Sequence, residues 1–158
     1  MFPKNHLGAL VFITDFFRKN NIPYVLTGGG AARVYGSPRE VVDLDFDVPN
    51  EYLQPIADSL REYVTSGPKK HQGEGFNVTL LELEYNGTPI DIGGAKDFEI
   101  FDKQSNRWVP DVTDFTHFKE IDIGGNKIKV VSLSDLLVYK RKLLRDVDVK
   151  DVEALKDL

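Results

Sequence analysis

At 158 residues, with 41% apolar and 11% aromatic content, the chain has a single-domain length and enough apolar residues for one core of a soluble globular protein. The formal net charge of −5 excludes an overall field that recruits nucleic acid, so any polyanion must be met locally. The absence of cysteine excludes a disulfide scaffold and a thiolate metal site. Met1-Phe2-Pro3-Lys4-Asn5 lacks a signal-peptide apolar region and no run approaches a membrane span, so a cytoplasmic location with no membrane contact is expected.

In chain order, Leu7, Leu10, Val11, Ile13, Phe16 and Phe17 predict a helix over 6–20, with Arg18 and Lys19 in its last turn and Asn20-Asn21 as its stop. Tyr24-Val25-Leu26 reads as a buried strand. Thr27-Gly28-Gly29-Gly30 reads as a turn, and Ala31 to Tyr35 as a second helix ended by Gly36-Ser37-Pro38. Val42 to Val48 alternates strictly and predicts a strand with an acidic and an apolar face, broken by Pro49-Asn50. Leu53, Ile56, Ala57, Leu60 and Tyr63/Val64 predict a third helix, followed by a polar, glycine-rich and mobile loop over 66–76. Phe76 to Tyr85 and Thr88 to Ile92 form a hairpin around Asn86-Gly87. Residues 93–114 carry no regular pattern. A second hairpin joins 115–123 to 127–131 around Gly124-Gly125-Asn126. Ser132 caps a helix running to about Arg145, and a last helix covers roughly 148–157. No internal repeat or second domain is visible, so 1–158 is expected to be one domain.

The chemistry concentrates in the glycine turn and the acidic strand. Side chains at i and i+2 of a strand share a face about 6.5–7 Å apart. Asp43 and Asp45 can therefore share divalent metal ions, while glycine N–H groups can hold a phosphate. Each feature also has a plainer reading. Three glycines make a tight connection between strand and helix, since no Gly-Lys-Ser/Thr follows and the spacing is not that of a dinucleotide site. Asp43, Asp45 and Asp47 could form a solvated outer face. Asp91, in Pro89-Ile90-Asp91-Ile92, is either a third site carboxylate or an edge acid facing water, with Glu82 and Glu84 as rivals. Lys140 falls within the apolar stripe of Leu133, Leu136, Leu137, Leu143 and Leu144. It either snorkels to water or aims its ammonium at a phosphate, amid Arg141, Lys142 and Arg145. His6, His71 and His117 are scattered and suggest no histidine metal site, and Lys69-Lys70-His71 reads as a charged loop tip.

Taken together, strand, Gly28-Gly29, helix and Asp43-x-Asp45 resemble the signature of the DNA polymerase β-like nucleotidyltransferase superfamily, and most nearly its small bacterial members, the antibiotic nucleotidyltransferases and the abortive-infection-type toxins. Arg39 matches the Arg-x-Thr-x-Asp-x-Asp run of small members, with Val41 where they have threonine. The run from Lys140 through Arg145 to Asp148, Lys150-Asp151 and Leu155 is similar to their C-terminal tail. The resemblance implies an α+β fold, a mixed β-sheet flanked by helices. It implies transfer of a nucleoside monophosphate from an NTP to a hydroxyl or phosphate acceptor, releasing pyrophosphate; the acceptor would be a small molecule, RNA or protein. Asp43, Asp45 and Asp91 would be the catalytic and metal-binding residues, holding two Mg²⁺ ions. Gly28, Gly29, Gly30, Arg39 and Lys140 would bind the nucleotide. Two alternatives stay open: a non-catalytic NTP- and Mg²⁺-binding regulator or toxin–antitoxin partner, and an α+β interaction domain with a solvated acidic strand.

Overall fold

The structure, a computed structural model, describes residues 2–158. Helix α1 (Lys4–Lys19) turns Ala9, Leu10, Ile13 and Phe17 fully away from solvent, as the apolar spacing predicts. Asn20 and Asn21 stop it, and Ile22 returns its N–H to the Phe17 carbonyl. Strand β1 (Val25–Thr27) runs directly into α2 (Gly28–Val34), so the three glycines are the first turn of the helix rather than a loop before it. Strand β2 (Leu44–Val48) follows, with Leu44, Phe46 and Val48 buried. The third helix is shorter than its apolar spacing predicts. Helix α3 covers Leu53–Ser59, between single 3-10 turns at Asn50–Tyr52 and Arg61–Tyr63.

Two segments differ from the sequence reading. The expected mobile loop is a strand, β3 (Val64–Gly73), paired antiparallel with β4 (Phe76–Tyr85) through a turn at Glu74-Gly75. It is an edge strand open to solvent along much of its length, so its sequence lacks an apolar alternation. Pro68 sits where the register slips between Ser66 and Lys69, a place where no ladder hydrogen bond is forfeited. The second difference lies within 93–114. After β5 (Thr88–Gly94) comes a short hairpin of β6 (Glu99–Asp102) and β7 (Arg107–Pro110). Its four-residue turn is held by the Asp102 carboxylate, which accepts from the Gln104 N–H and the Ser105 hydroxyl. Strands β8 (Lys119–Ile123) and β9 (Asn126–Val130) form the expected hairpin. Helix α4 (Leu133–Leu143) is capped by the Ser132 hydroxyl on the Asp135 N–H, and α5 (Asp146–Leu155) ends the fold.

Among the described residues, five helices flank one mixed sheet of nine strands, an α+β architecture. Its path is β7-β6-β4-β5-β2-β1-β9-β8, with β3 on β4. The β1–β2 and β4–β5 pairs are antiparallel, while β2–β5 and β1–β9 are parallel. The main core lies between the sheet and α1, α3 and parts of α2 and α4, around an edge-to-face pair of Phe17 and Phe46 at 5.5 Å. Burying one such ring contributes about 1.5–3 kcal/mol. A smaller cluster, Val78, Phe98, Ile100 and Leu143, fixes α4 against the β4–β6 side. No described helix is long and apolar enough to cross a membrane.

Candidate active site

Strand register brings the acids together. Thr27 on β1 faces Asp45 on β2, Asp45 faces Asp91 on β5, and Asp91 faces Glu82 on β4. Neighbouring strands lie about 4.8 Å apart, so this row holds its side chains within a few ångströms. Asp43 precedes β2 by one residue. Asp43, Asp45 and Asp91 each present a carboxylate oxygen, and these oxygens lie within 4.8 Å of one another. They form the single group of metal-holding dimensions among the described residues. Glu82 lines the same cleft outside that group, and Glu84 is exposed. The histidines stay apart: His6 approaches the Val42 carbonyl, His117 pairs with Asp135, and His71 reaches the cleft from β3.

The cluster is electrostatically tense. Burial, then the charges of Asp43, Asp91 and Asp47, push the Asp45 carboxyl well above the ordinary carboxylate range. Burial, then Asp43 and Glu82, raise Asp91 to about 6. None of the ion pairs between described side chains includes Asp43, Asp45 or Asp91. Oxygen donors under mutual repulsion suit a hard divalent cation, so the residues present fit such an ion.

Two of the three glycines belong to the site. Gly28 has φ +62°, and a Cβ there would lie 2.5 Å from Asp45 Oδ2. Only glycine lets α2 start against that carboxylate. A Cβ on Gly29 would lie 2.6 Å from the Arg39 guanidinium. Gly30 instead packs on Leu26 and Leu44 in the core and does not line the cleft.

The basic residues also differ from expectation. Lys140 is fully buried. Its Nζ lies 3.1 Å from Asp148 Oδ1 and 3.0 Å from Asp151 Oδ2. Its ammonium is held between carboxylates of α5, and Lys140 does not line the cleft in which a phosphate contact is expected of it. Sequence placed Lys140 correctly on a buried face but gave no sign that the next helix supplies its counter-charges. Arg39 does line the cleft, held by Asp151 through Nε at 3.0 Å and Nη2 at 2.8 Å. Arg145, unassigned at the sequence level, lines it too. Its guanidinium lies 4.8 Å from the Phe76 ring centre, and its Nε donates to Asp148 Oδ2 at 2.7 Å. The Arg145-x-x-Asp148 spacing was the available signal, because Asp148 also accepts from the Arg145 backbone N–H at the start of α5.

Asp47 does not face water. It is 7% exposed, accepts a hydrogen bond from Thr113 Oγ1 at 2.8 Å, and is raised by burial to about 6. Asp111 is raised to about 7 by burial, then by Asp47. The acidic face of β2 is thus the floor of a cleft, which removes the premise of a solvated outer strand. The cleft has a volume of about 440 Å³, within the usual range for small-molecule sites. Carboxylates occupy its floor, while Phe76, Val78, Leu80 and Phe98 give it an apolar wall.

A profile of the aminoglycoside-2''-adenylyltransferase family matches residues 9–155. A search of curated proteins gave no match. Among solved structures, the chain is similar to a Thermotoga maritima protein assigned as a nucleotidyltransferase. That likeness has 25% identity and a TM-score of 0.77, covering 99% of this chain and 94% of the other. The lincosamide antibiotic adenylyltransferase LnuA, bound to lincomycin, shares the fold at 19% identity and TM-score 0.61, covering 98% of this chain and 97% of that one. ANT(2'')-Ia in complex with adenylyl-2''-tobramycin shares it at 15% identity and TM-score 0.57, covering 95% of this chain and 84% of that one.

Proposed function

The chain belongs to the aminoglycoside-2''-adenylyltransferase family and is a nucleotidyltransferase, and on that premise we propose that it moves a nucleoside monophosphate from an NTP, ATP first, to a hydroxyl of a small amine-bearing acceptor. The convergence of Asp43, Asp45 and Asp91 supports this reading. These three would hold two Mg²⁺ ions. When bound, such ions neutralise the triphosphate and lower the pKa of the acceptor hydroxyl.

The chain's own groups have separable tasks. A new bond forms between the acceptor oxygen and the α-phosphorus, the bond from that phosphorus to the β-phosphate bridge breaks, and pyrophosphate leaves. Asp91, paired in register with Asp45 across β2 and β5, would help to take the acceptor proton. Gly28 and Gly29 let the phosphates approach the backbone at the start of α2. Arg39 and Arg145 bring positive charge to the cleft. Asp47 and Asp111 add carboxylates beyond the triad, where an acceptor's ammonium groups find counter-charge. The surrounding apolar wall limits water.

The test is transfer of label from α-labelled NTPs to a panel of aminoglycosides with and without a 2''-hydroxyl, in Mg²⁺ and in EDTA. The expected result is Mg²⁺-dependent labelling that Asp45→Ala abolishes while the fold persists. Labelling that survives Asp45→Ala would overturn the assignment. NTP binding without transfer to any acceptor would favour the non-catalytic regulator.

A further inference from the structure

Lys140, Asp148 and Asp151 are each fully buried and meet at one point. From that point the two aspartates each reach one arginine. Asp151 takes the Nε/Nη2 edge of Arg39, and Asp148 takes the same edge of Arg145, at 2.7 and 3.2 Å. Both arginines are partly exposed, with side chains at 22% and 31%, and both open into the cleft. Ser37 Oγ also donates to Asp151 Oδ1 at 2.7 Å, tying in the segment between α2 and β2.

We propose that Lys140, Asp148 and Asp151 are a buried positioning hub that presents Arg39 and Arg145 as a two-guanidinium clamp for the β- and γ-phosphates of the bound NTP; this rests on the reading of the cleft as an NTP site. Three arguments converge. A buried ion network is a poor way to gain stability, since apolar side chains of similar volume do as well or better. Its presence at the junction of α4 and α5 therefore calls for another role. Second, the network holds three basic and two acidic side chains, so one positive charge is in excess. That excess is delivered where Arg39 lies over Gly29 and Arg145 over Phe76. Third, the hub restrains the arginines. The charge of Arg145 is already felt at Asp45. With its bidentate edge committed to Asp148, Arg145 is kept from pairing with the triad and occupying the carboxylates that a metal needs. The planar fork explains why these positions are arginine: one edge anchors to the aspartate, and further N–H donors of the same group remain for a phosphate. Arg39 Nη1 meanwhile rests against the Glu40 carbonyl at 3.3 Å.

The hub residues are buried and none of them lines the cleft, so they are positioning residues, and their effect must appear in triphosphate recognition specifically. The experiment measures equilibrium binding of α,β-methylene-ATP and of AMP, each with Mg²⁺, to wild type, Arg145→Gln, Arg39→Gln, Arg145→Lys and Asp148→Asn. Each arginine-to-glutamine change is expected to weaken the triphosphate analogue by roughly 10- to 100-fold, the size of one or two charge-assisted hydrogen bonds. AMP affinity should barely change. Asp148→Asn keeps the side-chain shape and should give the same selective loss, with a higher KM for NTP and an unchanged KM for acceptor. Arg145→Lys should recover part of the loss. Folded Arg145→Gln and Arg39→Gln proteins that bind the analogue as tightly as wild type would overturn the clamp. Equal loss of analogue and AMP in Asp148→Asn would overturn positioning in favour of general damage. A wild-type protein that binds neither probe would overturn the NTP-site reading itself, and the clamp with it.

Discussion

Replacing Asp47 with asparagine should make the metal-free protein more stable at neutral pH. Asp47 is 7% exposed, and burial lifts its carboxyl from 3.8 to about 6 against the opposing hydrogen bond from Thr113. Between those two values the native state holds a proton that the unfolded chain has released. Stability then falls as pH rises from about 3.8 to about 6 and stays low above that range. A displacement of about two units, at 1.36 kcal/mol per unit, corresponds to about 3 kcal/mol surrendered at neutral pH and none below about pH 4. Asparagine carries no charge and keeps an oxygen for the Thr113 hydroxyl. It also relieves Asp45 and Asp111, both of which feel the Asp47 charge. Urea denaturation in EDTA should therefore show the variant more stable than wild type by about 2–3 kcal/mol near pH 8, and equal to it near pH 4. A gain that does not vary with pH, or a loss at pH 8, would refute this account of the strand. Stability given up at a cleft floor is characteristic of a working site. The same variant should accordingly bind an amine-bearing acceptor less well.

Gly28→Ala combines a positive φ with a Cβ placed against Asp45, and should lower stability by about 1–3 kcal/mol while cutting transfer about 100-fold. Thermal melts and the labelling assay check both, and a fully active Gly28→Ala protein would sink the proposed tight approach. Thr113→Val removes the donor to Asp47 and should cost about 1 kcal/mol. In a carboxyl NMR titration it should also drive the Asp47 midpoint upward, whereas an unchanged or lower midpoint would mean that the hydrogen bond contributes nothing. Phe17→Ala, which empties a fully buried position beside Phe46, should lose about 3–5 kcal/mol in denaturant titration. A loss under about 1 kcal/mol would contradict the core described above.

Much of this arrangement was legible because local chemistry and tertiary structure agree. Asn86-Gly87 takes positive φ at both residues and closes its hairpin, and Ser132 caps α4. The order of Gly28, Asp43 and Asp45 reflects a helix that starts on one carboxylate of its neighbouring strand. Where the reading fell short, the missing information lay far away in sequence. Arg39 and Asp151 are 112 residues apart, and only the docking of α5 makes them partners. That docking also buries Lys140 between two acids. Strand β3 escaped notice because a solvated edge needs no apolar alternation. Asp47 shared the acidic face of Asp43 and Asp45 but had no assignable role, since alternation sets the face of a strand but not what covers it. Here Thr113, from the irregular segment after β7, supplies the contact.

Diffraction at the manganese absorption edge, from crystals grown with Mn²⁺ in place of Mg²⁺ and a non-hydrolysable NTP, tests the central claim most directly. The account predicts two anomalous peaks held by Asp43, Asp45 and Asp91, with the triphosphate reaching toward Arg39 and Arg145. Manganese bound elsewhere, or a triad that closes on an arginine instead of a metal, would contradict it.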